Sequence, residues 1–279
     1  MISQKKIMFI MFPCFGYQKK GWDTHYEKGI KIKTNFISKL KKMGSVYFYE
    51  PLYYNINYYI LNEPEKSLYD KNINFTKENL DVSRECEKVY EKIKDFEGIF
   101  IPIGHSIGSY FVWCFQQKYS SRCLFSVIID GSSLGPIEQT LNDTKELYPK
   151  IEKYQKYDDK MINKLKEKLY KNDVKAFKKL EDIAMYNIFK YKEITNKAEK
   201  FNKPLIGFYN LKIKDDKKSF KKDHFSNLRK INQIEHFKKY NNDDYVAITF
   251  INKSHYPHDI DDSKEIILKS IKEMIDKYS

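Results

Sequence analysis

Short apolar runs alternate along this 279-residue chain with longer segments in which apolar residues recur at helical spacing. Such alternation is typical of βαβ units, in which parallel strands pair and the connecting helices cover the sheet. The pattern therefore predicts an α/β fold with a mostly parallel central sheet flanked by helices. The predicted strands cover residues 7–12, 46–49, 98–103, 124–129, 204–209 and 245–251.

The segments between these runs carry helix signals. Thr24 and Glu27 have the spacing of a capping box, so a first helix is predicted to begin there and to end at Gly44. A final helix is predicted over 263–277, with Asp262 as its N-cap. Two more are predicted over 77–96 and from the residue after Ser106 to about Tyr119.

The alternation stops between residues 137 and 201, where lysines multiply and helical spacing dominates. We interpret 137–201 as a helical insertion in a core formed by residues 1–136 and 202–279. The length of the chain suits one large α/β domain with such an insertion, or two small domains.

The most informative motif is Gly104-His105-Ser106-Ile107-Gly108, which follows an apolar run and precedes a helix-compatible segment. In this strand–turn–helix context the glycines relieve crowding in a sharp turn, and Ser106 projects from its tip. A serine there is open to a base on one side and to a substrate carbonyl on the other. Ser106 is therefore the candidate nucleophile.

A serine hydroxyl needs a nearby base to act as a nucleophile at neutral pH. His255 and His258 stand in the loop after the last predicted strand, and parallel α/β sheets hold their ligand chemistry at the carboxyl ends of strands. We favour His255, which is nearer to the strand, and keep His258 as the alternative.

Composition limits the partners and cofactors. The formal net charge is +13, and the excess lies in 145–203 and 212–240. Lys, Asn, Ile and Tyr are all abundant, as A+T-rich codons would produce, and no nucleic-acid module is recognised. We therefore expect no nucleic-acid partner and at most a weak contact with an anionic membrane surface.

The four cysteines form no C-x-x-C pair, which favours a reduced, cytoplasmic protein. The cysteines and six histidines lack zinc-ligand spacing, so no metal and no cofactor is predicted. No apolar run approaches the roughly 18–20 residues that cross a bilayer.

From about residue 5 to the end, outside 137–201, the order of strands, serine turn and histidine loop resembles the α/β-hydrolase superfamily. The insertion at 137–201 matches only the position of that family's helical cap. The resemblance implies acyl transfer to water, in which Ser106 attacks, His255 moves the proton, and a carboxylate orients His255.

The resemblance implies an acid shortly after the strand that begins at Pro204, where we expect Asp215, with Asp216 next to it. The family's Gly-x-x-Asp spacing is missing there, because Asn210 and Ile213 occupy those two places. A rarer variant of the family carries the acid after the preceding strand. That variant makes Asp130 the alternative.

The family's oxyanion hole consists of two backbone N–H groups. Ile107, the residue after the nucleophile, is expected to supply one. The other is expected from Cys14, or else Phe15, because Pro13 has no N–H and the chain has Phe12-Pro13 where the family usually has His-Gly.

These features predict a serine hydrolase that cleaves a carboxylic ester, either a small ester or a lipid-derived acyl group. The alternative is a non-catalytic protein that binds a ligand on the same fold. The Phe12-Pro13 departure and the displaced acid favour that alternative.

Overall fold

The structure is a computed structural model. It describes residues 6–13, 22–27, 30–49, 82–131, 160–161, 164, 203–212, 227, 230–235, 237–239, 244–253 and 255–279. Most of the predicted cap, 137–201, lies outside these ranges, so the division into core and cap stays a prediction.

A six-stranded sheet forms the centre of the molecule, and all of its strands are parallel. Its order is β4-β1-β5-β6-β7-β8, and a separate antiparallel pair is formed by β2 and β3. The strands are β1 (Ile7–Phe12), β2 (Thr24–Glu27), β3 (Ile30–Lys33), β4 (Ser45–Phe48), β5 (Ile99–His105), β6 (Ser126–Ile129), β7 (Leu205–Leu211) and β8 (Tyr245–Ile251). The predicted α/β class is therefore confirmed.

The named helices are α1 (Phe36–Leu40), α2 (Val82–Ile93), α3 (Gly108–Lys118) and α4 (Asp261–Tyr278). Residues 230–235 and 237–239 are also helical. Alternate side chains of the strands point to opposite faces of the sheet, so each face needs its own helical cover.

One face of the sheet packs against α1 and α4. Phe9 of β1, Ile101 of β5 and Phe208 of β7 are fully buried there and share one apolar cluster with Leu40 and Ile271 of the two helices. The continuous apolar runs of the inner strands are explained by this burial on both sides.

The other face packs against α3, with α2 behind it. Phe12 of β1 stacks on Phe111 of α3 with ring centroids 5.7 Å apart, and Phe100 of β5 meets Phe115 edge-on at 6.1 Å. The face of α2 that carries Val89 is buried. The two layers hold β5 and the start of α3 in fixed relation, and the serine motif lies between them.

The order of the strands reverses between β1 and β5. From β1 the chain proceeds to β4 on one side and then returns to β5 on the other. In open α/β sheets, the carboxyl ends of strands at such a reversal border the ligand crevice. The Ser106 turn and the loop after Phe12 are therefore brought to the same place.

The first predicted helix is wrong at its beginning. Thr24 pairs with Lys33 and Glu27 with Ile30 in an antiparallel hairpin, and the helix is confined to Phe36–Leu40. A capping box is a local signal, whereas Ile-Lys-Ile-Lys at 30–33 alternates with the period of a strand. Strand pairing overrides the cap.

The expected N-cap of the last helix is also corrected. Ile260 occupies the N-cap of α4, and no side chain caps the helix there. Asp261 and Asp262 both lie in the first turn. Negative charge in the first turn still favours the helix, because it faces the positive end of the helix dipole.

Among the described residues, no helix is long and apolar enough to cross a membrane, and no group of three or more His, Cys, Asp or Glu side chains could hold a metal ion.

We expect Ile101→Ala to lower the free energy of unfolding by about 2–5 kcal/mol, because it opens a cavity on the central strand, where Ile101 is fully buried. Ile251→Ala is the control: Ile251 is 48% exposed at the end of β8, and its truncation should change stability by about 0.5 kcal/mol or less. Urea unfolding followed by circular dichroism measures both. Equal losses would contradict the packing described for β5.

Candidate active site

Ser106 occupies the turn between β5 and α3 with a left-handed backbone, φ 53°. The turn is held from two sides. The Ser106 amide donates to the carbonyl of Ile129 at 2.9 Å, and the Ser109 hydroxyl donates to the carbonyl of Ser106 at 2.7 Å. A left-handed serine costs of order 1–3 kcal/mol, and this conformation persists because its surroundings fix it.

The two glycines of the motif stand where other backbone comes too close for a side chain. A Cβ at Gly104 would lie 2.5 Å from the carbonyl oxygen of Gly108, and a Cβ at Gly108 would lie 2.1 Å from that of Phe12. The strand–turn–helix arrangement predicted from this motif is the one observed. Close approach to Phe12 also brings the start of α3 to the end of β1.

The backbone at Ile107 leaves an amide available beside the serine. Ile107 is the N-cap of α3, and its amide donates no hydrogen bond to any described residue. The first amides of a helix lack partners within the helix and carry its positive dipole end. An oxyanion next to Ser106 would meet this group. Cys14 and Phe15, the expected second donors, lie outside the described residues.

His255 and Asp130 form the central contact of the site. Nδ1 of His255 lies 2.6 Å from Oδ2 of Asp130. The carboxylate accepts, so Nδ1 carries the proton and Nε2 is left free to accept one. The Asp130 side chain is 1% exposed, whereas the His255 side chain is 41% exposed. The imidazole is thus anchored from inside and reachable from the crevice.

Asp130 directly follows β6, with φ 43°, and it is compensated on every side. Its Oδ1 accepts from the backbone amide of Asn210 at 2.9 Å and lies 2.6 Å from the Lys230 ammonium. Burial alone would raise the pKa of this carboxyl, but the His255 hydrogen bond and the Lys230 charge hold that pKa below its usual value. Asp130 is therefore ionised at neutral pH.

His105 supports the loop that carries His255. Its Nε2 donates to the carbonyl of His255 at 2.8 Å, and the two rings lie 4.8 Å apart. Burial lowers the pKa of the His105 ring well below its usual range, and the charges of His258 and His255 add to this shift. His105 is consequently neutral, and its role is to hold the loop against the Ser106 turn.

The alternative base, His258, is fully buried away from Asp130. Its ring packs against Trp22 with centroids 4.7 Å apart and against His105 at 4.8 Å. Between the two loop histidines, only His255 joins Asp130 and keeps an exposed edge.

His105 links the Ser106 turn to the loop that carries His255. His105, the residue before Ser106, bonds the backbone of His255, and among the described residues no hydrogen bond joins the Ser106 hydroxyl to the His255 ring. In enzymes without bound substrate, catalytic hydrogen bonds are often long, and they tighten when substrate binds.

No protein-family model matches the chain, and no curated protein matches it in sequence. Solved structures match over nearly its whole length. The parallel sheet, the serine turn after β5 and these matches decide the fold. The chain has the α/β-hydrolase fold.

Three of the matching structures illustrate the similarity. A bacterial membrane phospholipase A, a virulence factor, is 14% identical, with 99% of this chain and 80% of that chain covered and a TM-score of 0.55. A soluble variant of monoglyceride lipase from Saccharomyces cerevisiae is 13% identical, with 99% and 88% covered and a TM-score of 0.54. An α/β-hydrolase enzyme from the sediment metagenome of the Mar Chica lagoon, Morocco, is 12% identical, with 96% and 92% covered and a TM-score of 0.52.

In this α/β-hydrolase fold, Asn210 stands at the glycine place of the family's Gly-x-x-Asp spacing, close to the end of β7. Asn210 of β7 pairs with the Lys253 backbone in both directions: its Nδ2 donates to the carbonyl at 2.7 Å, and its Oδ1 accepts from the amide at 2.8 Å. This pair ties β7 to the loop that carries His255. Asp215 and Asp216 lie outside the described residues.

Sequence reasoning misses two residues of this site. It identifies Asn210 only as a departure from the family's spacing, although a polar residue inside an apolar strand is itself a signal of a buried hydrogen bond. Lys230 belongs to a lysine-rich stretch, and nothing in its local pattern separates it from the other lysines there.

We expect Asn210→Asp to destabilise the protein in a pH-dependent way. An ionised carboxylate cannot donate to the Lys253 carbonyl, and it adds a second negative charge near Asp130, so the folded protein favours its protonated form. An aspartate in an unfolded chain ionises near pH 4. The stability deficit against wild type should therefore grow as pH rises from 4.5 to 8, to about 1–3 kcal/mol. Urea unfolding at both pH values measures this.

Asn227→Asp is the matched control for that experiment. Asn227 pairs with the Lys212 backbone in the same two-way manner, at 2.9 and 2.6 Å, but it is only half-buried. Its replacement should show a smaller pH dependence. The same pH dependence in both variants would argue against a special role for Asn210.

Proposed function

We propose that this protein is a serine hydrolase that cleaves carboxylic esters through an acyl-enzyme on Ser106. The observation that carries the proposal is the 2.6 Å hydrogen bond from His255 to the buried Asp130, behind a left-handed serine turn. A histidine oriented by a buried carboxylate next to a projecting serine is the arrangement that activates a hydroxyl.

In the first half of the reaction, the Ser106 oxygen attacks the ester carbonyl carbon, and Nε2 of His255 takes the hydroxyl proton. Asp130 stays ionised and stabilises the imidazolium. When the tetrahedral intermediate collapses, the bond from carbon to the alcohol oxygen breaks. His255 gives its proton to that oxygen, and the alcohol leaves.

In the second half, a water molecule attacks the acyl carbon while His255 takes one of its protons. The bond to the Ser106 oxygen breaks, and His255 returns the proton to it. The products are a carboxylic acid and the free enzyme. The chemistry requires no cofactor.

The negative charge on the carbonyl oxygen requires donors that are already in place. The Ile107 amide and the start of α3 meet that need on one side. The Cys14 amide is the proposed second donor, at the loop after β1, with Phe15 as the alternative.

The proposed substrate class rests on the fold and on the proposed Ser106, His255 and Asp130 arrangement, together with the names of similar structures. Those structures include a phospholipase A and a monoglyceride lipase. We propose a carboxylic ester with a small or lipid-derived acyl group as the substrate, with the predicted cap over the crevice.

A fluorophosphonate probe should label the wild-type protein covalently, and Ser106→Ala should abolish the labelling, because the probe reacts only with an activated serine. Intact-protein mass spectrometry measures the added mass. Ser45→Ala is the control and should leave the labelling intact, because Ser45 is exposed at the start of β4, at the opposite end of the sheet from the Ser106 turn. Labelling that survives in Ser106→Ala would exclude Ser106 as the nucleophile. Labelling of the wild type without ester turnover would favour the ligand-binding alternative.

The acid is tested by two isosteric substitutions. Asp130→Asn should lower kcat for a p-nitrophenyl ester by about 10³–10⁴-fold, because an amide in place of the carboxylate favours the wrong tautomer of His255. Asp215→Asn should leave kcat within about threefold, since a residue outside the triad contributes little to the transition state. The opposite result would return the acid to Asp215, the position expected from the sequence.

A further inference from the structure

A buried lysine contacts the carboxylate that orients His255. Nζ of Lys230 lies 2.6 Å from Oδ1 of Asp130 and donates to the backbone carbonyl of Asn210, also at 2.6 Å. The Lys230 side chain is 10% exposed. The proposed catalysis needs only Ser106, His255 and Asp130 among the side chains, so this cation is left without a role.

We propose that Lys230 is a positioning residue: its ammonium keeps Asp130 ionised and fixed, and thereby sets the pH at which His255 takes up a proton. The inference rests on the proposed function, because His255 is the base there. It adds a fourth member, supplied by the helical residues 230–235, to the Ser–His–Asp arrangement.

The two oxygens of the Asp130 carboxylate have different partners. Oδ2 accepts from His255, whereas Oδ1 faces Lys230 and the Asn210 amide. A carboxylate held at both ends cannot rotate away from the imidazole. Removing a cation from a buried ion pair leaves its partner uncompensated, so the pair is expected to matter more than a surface pair.

The sign of the effect follows from the charges around His255. Among the described residues, the titratable groups that face it are Asp130 from β6, His105 from β5 and Tyr256 from its own loop, with Lys230 behind Asp130. His258 and Asp259 lie behind His105. Among these residues Lys230 is the lysine. Removing its positive charge favours proton uptake by both His255 and Asp130.

The test is Lys230→Met, which keeps the unbranched side chain as far as Cε and removes the ammonium. The acidic limb of the kcat/KM profile for a p-nitrophenyl ester should move to higher pH by about 0.5–1 unit, a size typical of one charge in a partly screened site. NMR titration of the His255 Cε1–H resonance should move in the same direction. A structural role alone would lower activity at all pH values and leave both midpoints in place.

Three further variants make the test specific. Lys230→Arg keeps the charge and should leave the acidic limb at its wild-type position. Lys230→Gln keeps a donor for the Asn210 carbonyl without the charge and should shift like Lys230→Met. Lys238→Met removes an exposed charge from the same stretch and should shift neither midpoint, because Lys238 pairs with the exposed Glu235 rather than with the site.

Unchanged midpoints in Lys230→Met and Lys230→Gln would overturn the proposal. It would also be overturned if neither variant folds while Lys230→Arg does, since Lys230 would then be a structural residue. The NMR titration is repeated in the Ser106→Ala background, where no turnover is required. If the His255 titration midpoint shifts in that background while the wild type hydrolyses no ester, the proposed activity is refuted and the role of Lys230 is supported.

Discussion

The site depends on one buried negative charge and on how it is compensated. A carboxylate removed from water is tolerated only when donors and an opposite charge replace its hydration. Asp130 meets this condition with His255 at one oxygen and with Lys230 and the Asn210 amide at the other. These contacts connect residues that are far apart along the chain, so they form only when the sheet is complete.

The parallel sheet brings these partners together. Asp130 follows β6, Asn210 belongs to β7, and His255 stands in the loop after β8, so three adjacent strands contribute at their carboxyl ends. The serine turn follows β5, the next strand in the same row. If a further strand stood between β6 and β8, the His255 imidazole would be out of reach of the Asp130 carboxylate.

The sequence predicts what depends on local patterns. The bounds of β1 and β8 agree with the predicted runs 7–12 and 245–251, because each apolar run ends where polar residues begin. The serine motif is also predicted correctly, because steric crowding within a five-residue turn restricts which residues fit there. The sequence predicts a helix in place of the hairpin at 24–33 because Thr24 and Glu27 satisfy a local rule that strand pairing overrides.

The choice of acid cannot be made from local pattern, because it depends on which strand ends come together. The backbone amide of Asn210 donates to Oδ1 of Asp130, so residue 210 lies close to that carboxylate. A carboxylate in the side chain at position 210 would add a second negative charge near Asp130, and the two would repel each other. With the charge on β6, the residue on β7 has to be neutral, and it has to both donate and accept to hold the Lys253 backbone. An asparagine fulfils both requirements, so the side chain at position 210 fits an acid at Asp130.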